Sequence, residues 1–132
     1  LQAFIEALPR NENPSAAPVS SADLARERRG VGTFVKAGCV GCHAFPAFTH
    51  LGKLPMAALF PDEAQKLSAK VPEMLDTPSL LGVAGSAPYL NDGRAATLEE
   101  VITKHNAKNL HGDTRSLSAS ERADLVAFLR SL

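Results

Sequence analysis

The sequence predicts an all-α domain, and three observations support that fold class. Two S/T-x-x-E segments, at residues 97–100 and 118–121, have the spacing of capping boxes that begin helices. Ser20 or Ser21 can cap a further helix that runs from about residue 22 to residue 36. Long runs of β-branched residues, which strands favour, do not occur in the chain. Helices joined by loops are therefore expected along the chain.

Glycines and prolines set the limits of the expected helices. Gly30 and Gly32 weaken the first helix, but they let another backbone approach it closely. The helix that begins after Thr97 is expected to end at about His105, and the last helix is expected to run to the end of the chain. Residues 44–78 contain five prolines and are expected to be mostly loop, with a short helix from Pro61 to about residue 69.

Length and charge exclude several classes of function. A chain of 132 residues is within the range of one domain. Its 14 basic and 14 acidic residues give zero formal net charge, so the sequence has no nucleic-acid footprint and no attraction to an anionic membrane. No apolar run approaches the roughly 20 residues that span a bilayer. A small domain with no nucleic-acid partner and no transmembrane segment is predicted.

Cys39, Cys42 and His43 form a C-x-x-C-H motif, which is typical of haem c attachment. The two thiols can form thioether bonds to one haem edge, and the adjacent imidazole then binds the iron. Aromatic side chains are scarce, with six Phe, one Tyr and no Trp, and a haem supplies the large apolar body that they do not. The prediction is a cytochrome c-like set of helices wrapped around one covalently bound haem c.

Three other uses of the cysteine pair are weighed against haem. Zinc is one, with His43 or His50 as extra ligands, although the chain has no second cysteine pair to complete a four-thiolate site. A redox dithiol is another, but it is expected to follow a strand in an alternating strand–helix pattern. A structural disulfide would close too small a loop to restrain much of the chain.

The first eight residues resemble the last eight. Leu, Ala, Phe and Leu recur at the same places in residues 1–8 and 125–132, with the spacing of short amphipathic helices. Coincidence between two ordinary helical segments is one interpretation. The other is that residues 1–20 are the end of a preceding domain plus a Pro-rich linker, and that residues 21–132 are the cytochrome c domain.

Three sequence blocks in order resemble the C-terminal haem domain of bacterial di-haem cytochrome c peroxidases and MauG-like proteins. The blocks are Thr-Pro-Ser-Leu at 77–80, Ala-Pro-Tyr-Leu-Asn-Asp-Gly at 87–93, and Thr-Leu-Glu-Glu-Val at 97–101. Residues 45–49 and 124–129 fit the same pattern, so the resemblance covers about residues 21–132. It implies a domain that carries an electron-transferring haem, next to a domain whose haem reacts with peroxide.

The resemblance also implies a haem pocket. Its expected members are Thr77, Pro78, Leu80 and Tyr89. The family commonly has Arg where this chain has Leu81 and often has His where it has Asn91, so Arg94 is expected to replace the missing arginine as a partner of a haem propionate. Residues 91–93 also fit a plain turn, and Arg94 a solvated loop residue.

The sixth ligand of the iron is the remaining choice. The family places a Met or Tyr a few residues after Thr-Leu-Glu-Glu, and this chain has His105 there, which would pair with His43. Met74 is the alternative. Further candidates are Met56, His50 and His111, the two histidines being expected on surface loops, and an open or water-bound position is also considered.

The expected function is electron transfer through a six-coordinate haem, as a domain of a larger oxidoreductase. The alternative is a peroxidase or MauG-like oxidase site with an open or exchangeable distal position, and a haem-based ligand sensor is a third. The expected partner is a redox protein or an adjacent haem or catalytic domain. Because haem c is normally attached outside the cytoplasm, a periplasmic or otherwise exported bacterial protein is expected.

Overall fold

The computed structural model describes residues 20–61 and 73–132, and this part of the chain is mostly helical. Its α-helices are α1 (Ser21–Lys36), α2 (Met56–Leu59), α3 (Leu98–Ile102) and α4 (Ala119–Ser131). Short 3₁₀ turns lie at Cys39–Gly41, Val83–Gly85 and Lys104–Asn106. The prediction of a mainly helical chain is confirmed for these residues.

Both long helices begin with the caps that the sequence predicts. At α1, the Ser20 hydroxyl accepts a hydrogen bond from the Asp23 amide, and the Asp23 carboxylate accepts one from the Ser20 amide. At α4, Ser118 and Glu121 exchange the same two bonds at 3.2 and 2.7 Å. Each pair satisfies two amides that a helix start otherwise leaves without an acceptor.

Helix α3 is shorter than predicted. Thr97 caps it by accepting from the Glu100 amide, but the Glu100 carboxylate accepts from the amide of Ala96 rather than from that of Thr97. The α-helix ends at Ile102, and the chain continues as a 3₁₀ turn. His105 therefore lies in that turn and not on α3.

A small antiparallel sheet corrects the all-α prediction. Strand β1 (Lys53–Pro55) pairs with β2 (Met74–Asp76), with Lys53 opposite Asp76. Each strand has three residues and none of them is β-branched, so neither alternation nor composition indicates a strand there. The sheet lies within the segment that was expected to be mostly loop.

Helices α1 and α4 form the scaffold of the domain. A Cβ at Gly30 would overlap the carbonyl oxygen of Asp124 and lie 2.5 Å from Cβ of Phe128, so the two backbones meet at this glycine. The close approach predicted for Gly30 is confirmed, whereas a Cβ at Gly32 would meet nothing within 4 Å. Arg29 fastens the crossing with two hydrogen bonds to the Asp124 carboxylate, at 2.7 and 3.0 Å.

Three phenylalanines lie at the centre of the core. The ring centroids of Phe34, Phe48 and Phe128 lie 5.5–6.1 Å from one another. Around them pack buried aliphatic side chains from α3, α4 and the loop before α4: Leu98, Ile102, Leu117, Leu125, Val126 and Leu129. Phe48 belongs to the loop after Cys42 and His43, so the core anchors that loop against the scaffold.

Two sequence predictions fall outside the described residues. The boundary at residue 20 and the helix from Pro61 to residue 69 depend on residues 1–19 and 62–72. Among the residues that are described, no helix has the length and hydropathy to cross a membrane.

Candidate haem site

The C-x-x-C-H motif begins directly after α1. Gly38 has a left-handed φ of 76°, which turns the chain out of the helix at a residue without a Cβ. The backbone then forms a tight turn, in which the carbonyl of Cys39 accepts from the amides of Cys42 and His43 at 3.2 and 2.9 Å. The turn holds the two thiols and the imidazole together at the end of the scaffold helix.

The His43 ring is fixed by two backbone carbonyls. Its Nδ1 lies 3.1 Å from the carbonyl oxygen of Phe48 and 3.2 Å from that of Pro78. A carbonyl can only accept, so Nδ1 carries the hydrogen and Nε2 keeps the lone pair. Burial lowers the pKa of His43, while the two hydrogen bonds oppose that effect. The ring is thus a neutral imidazole whose Nε2 can bind a metal.

Two loops supply these carbonyls and are fastened to each other. The Thr49 hydroxyl donates to the carbonyl of Thr77 at 2.7 Å, and the Ser79 hydroxyl donates to the carbonyl of Ala47 at 2.6 Å. Phe48 lies between these contacts with a φ of 52°, a left-handed value that is unfavourable for a bulky residue. The strained residue is the one whose carbonyl holds His43, as is common at functional sites.

The two cysteines do not resemble a redox pair. Both are partly buried free thiols. Burial raises the pKa of the Cys39 thiol to about 11, whereas reactive dithiols have a lowered pKa. Over residues 20–61 and 73–132, no three His, Cys, Asp or Glu side chains are grouped as a metal site requires. The geometry therefore favours neither the dithiol nor the zinc interpretation.

The family-derived pocket residues lie around His43 and the core. Pro78 contacts His43 directly, and Leu80 and Tyr89 pack against the core cluster. Tyr89 also forms a β-bridge with Ala95, and burial raises the pKa of its hydroxyl. The Thr77 hydroxyl is buried and lacks a hydrogen-bond partner within the described part of the chain. Their role toward a haem stays a prediction.

Arg94 lies beside an aromatic ring. Its guanidinium is 3.0 Å from the Asp92 carboxylate, and its central carbon is 4.6 Å from the ring centroid of Phe60. The Phe60 ring in turn lies 6.0 Å from the ring of His111. Arg94 is thus linked through Phe60 to a histidine that sequence analysis ranked low, and its contact with a propionate stays a prediction.

His111 is the histidine that the structure brings to His43. The two ring centroids lie 6.3 Å apart. Burial, followed by electrostatic repulsion from His43 when that ring is protonated, lowers the pKa of His111 to about 4, so the His111 ring is neutral near pH 7. Its neighbours Leu110 and Gly112 suggested a surface loop. The signal that sequence analysis missed is Asn106, whose side chain binds the backbone of this loop.

The other candidate ligands have different surroundings. His105 is partly buried, and its Nε2 has no hydrogen-bond partner among the residues described. Among the described residues, the histidine ring that lies against His43 is that of His111 and not that of His105. Met74 is 43% exposed on β2, and Met56 is buried. The assignment of His105, with Met74 as alternative, stays a prediction.

The surroundings of the motif fit a haem. Four large apolar side chains in loops and turns are exposed, with exposed fractions from 42% to 89%: Phe45, Leu51, Leu81 and Leu110. Exposed apolar side chains on loops can contribute to a binding surface. Together with two adjacent thiols and an imidazole with an available Nε2, they match what haem c requires.

Comparison with known proteins agrees with the motif. No family model matches the chain. It is 41% identical over 58 residues to hydrazine synthase subunit gamma of Kuenenia stuttgartiensis, which covers 43% of this chain and 16% of that protein. It is 31% identical over 111 residues to the methylamine utilization protein MauG of Methylophilus methylotrophus, covering 74% and 32%. It is 29% identical over 115 residues to cytochrome c551 peroxidase of Nitrosomonas europaea, covering 80% and 34%.

These matches extend well beyond the C-x-x-C-H motif. The MauG and peroxidase alignments cover 74% and 80% of this chain, whereas the chain spans about one third of those two relatives and less of the hydrazine synthase subunit. The resemblance found in the three sequence blocks is confirmed. Over the matched region, this chain is similar to proteins of the MauG and cytochrome c peroxidase family.

Proposed function

We propose that this chain transfers single electrons through one covalently attached haem c, as the electron-transfer domain of a larger oxidoreductase. The observation that carries the proposal is the state of His43. Its Nδ1–H is held by two carbonyls, and its Nε2 is available beside two thiols. A metal-binding histidine has this arrangement, because the second-shell acceptors fix the ring and raise the basicity of the ligating nitrogen.

Each residue of the motif has a defined role in this proposal. The Cys39 and Cys42 thiols add across the two vinyl groups, with sulfur on one carbon and hydrogen on the other, so no oxidant or leaving group is needed. His43 binds the iron through Nε2. When bound, haem c supplies a reversible one-electron ferric/ferrous couple. The Phe48 and Pro78 carbonyls keep the His43 ring in one orientation.

A side chain fills the sixth position in this proposal. Sequence analysis assigns it to His105, with Met74 as the alternative, and a filled position excludes peroxide and oxygen from the iron. Thr77, Leu80 and Tyr89 line the pocket, and Arg94 binds a propionate. Either axial ligand suits electron transfer, and a thioether gives the higher potential.

The partner is a redox protein or an adjacent haem or catalytic domain, and the location is the periplasm or another exported compartment. The location follows from haem c, which is normally attached outside the cytoplasm. Two facts bear on the partner. The chain matches about one third of proteins named MauG and cytochrome c551 peroxidase, so a neighbouring domain is available in such proteins. Its zero net charge leaves partner choice to local patches rather than to long-range attraction.

Spectroscopy of the chain produced with its haem tests the proposal. We expect a c-type pyridine haemochrome, and ferric and ferrous spectra that are low-spin and unchanged by carbon monoxide or peroxide. The control variant, Cys39→Ala with Cys42→Ala, should lose the covalently bound haem after denaturation. Absence of covalent haem from the unmodified chain would overturn the proposal.

The second candidate is a peroxidase or MauG-like reaction at an exchangeable sixth position. The names of two relatives, MauG and cytochrome c551 peroxidase, favour it. Reduction of peroxide to two waters consumes two electrons and two protons, so it requires an electron donor protein and an acid–base group near the iron. A rapid spectral change with peroxide, together with turnover of a reduced cytochrome donor, would favour this candidate over electron transfer alone.

A further inference from the structure

The His43 and His111 rings have the separation of two imidazoles that share one metal. Metal–imidazole bonds are about 2.0–2.1 Å for zinc, and each ring centroid lies roughly 1.1 Å behind its nitrogen. Two such ligands on opposite sides of a metal therefore place their centroids about 6 Å apart. The observed distance is 6.3 Å. The 48° between the ring planes is compatible, because each ring can rotate about its bond to the metal.

Asn106 holds the backbone of His111 from both sides. Its Oδ1 accepts from the His111 amide at 2.8 Å, and its Nδ2 lies 3.1 Å from the His111 carbonyl and 2.9 Å from the Gly112 carbonyl. Nδ2 also lies 2.7 Å from the Thr114 hydroxyl, which donates to the Ile102 carbonyl. Asn106 and Thr114 are almost fully buried. A buried and satisfied polar network of this kind fixes a loop in one conformation.

The loop that contains His111 is also hydrogen-bonded to the chain just before the cysteine turn. The Asp113 amide donates to the carbonyl of Ala37 at 2.8 Å. A Cβ at Gly112 would lie 3.0 Å from the Ala37 carbonyl oxygen and 3.5 Å from Sγ of Cys39, and its φ is 79°. The residue after His111 thus lies directly against the first attachment thiol. This contact places the His111 loop beside the point where the haem is bonded.

We propose that His111 is the second axial ligand, opposite His43, and that Asn106 positions it. The proposal rests on the function proposed above and replaces His105 as the sixth ligand. Since a second imidazole stabilises ferric iron more than a thioether does, the potential of this haem lies below that of a His/Met cytochrome. The linked side chains Phe60 and Arg94 then lie on the His111 face.

Variants of the haem-loaded chain separate the two histidines. We expect His111→Ala to convert the ferric electron paramagnetic resonance spectrum from low-spin to high-spin, and added imidazole to restore the low-spin signal. His105→Ala tests the competing assignment, and it should stay low-spin because His111 keeps its place on the iron. A low-spin His111→Ala spectrum, or a high-spin His105→Ala spectrum with imidazole rescue, would overturn the assignment.

The unmodified chain gives an answer that does not depend on a variant's folding. Near-infrared magnetic circular dichroism of the ferric haem distinguishes bis-histidine from histidine/methionine ligation. We expect the bis-histidine signature, and a histidine/methionine signature would overturn the inference while leaving electron transfer intact. Loss of the proposed function itself has another sign, since the chain would then contain no covalent haem.

The role of Asn106 has its own readout. Outer-shell partners of metal ligands typically change affinity by 10–100-fold when mutated. Asn106→Leu is therefore expected to raise the rate of carbon monoxide binding to the ferrous haem about tenfold, because His111 leaves the iron more often. Added imidazole should reverse the effect. An unchanged rate in folded protein would show that Asn106 does not position the ligand.

Discussion

The α1–α4 scaffold and the loops of the haem site are held together in different ways. The helices of the scaffold begin at capping boxes, which are signals within a few residues of each other, although their crossing also uses the long-range contact of Arg29 with Asp124. The site depends on hydrogen bonds between loops, such as Thr49 to Thr77 and His43 to Pro78, that join residues 28 and 35 positions apart. Local signals can be recognised in a sequence, whereas contacts between loops exist only once the chain has folded.

Backbone strain follows the same division. The described non-glycine residues with a positive φ all lie outside the helices: Phe48, Leu51, Leu90 and Asn109. Such conformations are unfavourable for residues with a Cβ and persist where the surrounding structure imposes them. The helices of the scaffold therefore adopt backbone conformations that their residues favour, whereas site residues such as Phe48 do not.

The largest expected effect is at the helix crossing. Gly30→Ala should lower the free energy of unfolding by about 3 kcal/mol, because the added Cβ overlaps the Asp124 carbonyl and forces α1 and α4 apart. Urea unfolding followed by circular dichroism measures it. Gly32→Ala is the control in the same helix, and since its Cβ meets nothing, it should be neutral or stabilise by about 0.5–1 kcal/mol. Equal effects of the two variants would contradict the close approach.

The next largest effect on stability is expected in the hydrogen-bond network of Asn106, His111 and Thr114. Asn106→Ala removes the partners of the His111 amide and of the Thr114 hydroxyl, and it should destabilise the chain by about 2 kcal/mol. Asn91→Ala changes an exposed asparagine and should alter stability by less than about 0.5 kcal/mol. If both variants unfold at the same urea concentration, the hydrogen bonds of Asn106 make no net contribution to the stability of the chain.

The residues in these two predictions also show which features of the fold and of the site could be predicted from the sequence. Gly30 was expected to allow a close approach because it lies inside a helical pattern, and the motif residues Cys39, Cys42 and His43 were recognised by spacing alone. His111 was assigned to the surface, since nothing near it in sequence shows that Asn106 would be buried against it. The two short strands were missed because three residues are too few to show a period.

A pH-dependent effect is expected at the ion pair of the scaffold. The hydrogen bonds from Arg29, followed by its charge, hold the pKa of Asp124 below its usual value. A carboxyl whose pKa is lower in the folded state stabilises the fold above its unfolded pKa of about 3.9, and that contribution is lost as the pH falls through the folded pKa. Stability should therefore decrease as the pH drops below about 4.

The variant Asp124→Asn tests this contribution. It should destabilise the chain by about 1.5 kcal/mol at pH 7 and flatten the loss of stability on acidification. Asp76→Asn is the control, because Asp76 is exposed and its carboxylate lies 4.0 Å from the Lys53 ammonium. Measuring unfolding from pH 7 to pH 3 separates the two variants. Parallel curves for Asp124→Asn and the unmodified chain would assign the acid sensitivity to other groups.

The smallest predicted effect on stability is that of replacing a leucine by glycine, which should stabilise a loop of the site region and destabilise a scaffold helix. Leu51 is 89% exposed with a φ of 54°, so Leu51→Gly loses little burial, relieves an unfavourable conformation and should stabilise the chain by about 0.5–1 kcal/mol. The same substitution at Leu24, inside α1, should destabilise by about 1 kcal/mol, because glycine is a poor helix former. Urea midpoints that move in opposite directions would show that the loops, unlike the helices, adopt conformations their residues do not prefer. Midpoints that both fall would mean that the Leu51 side chain contributes packing that outweighs its strain.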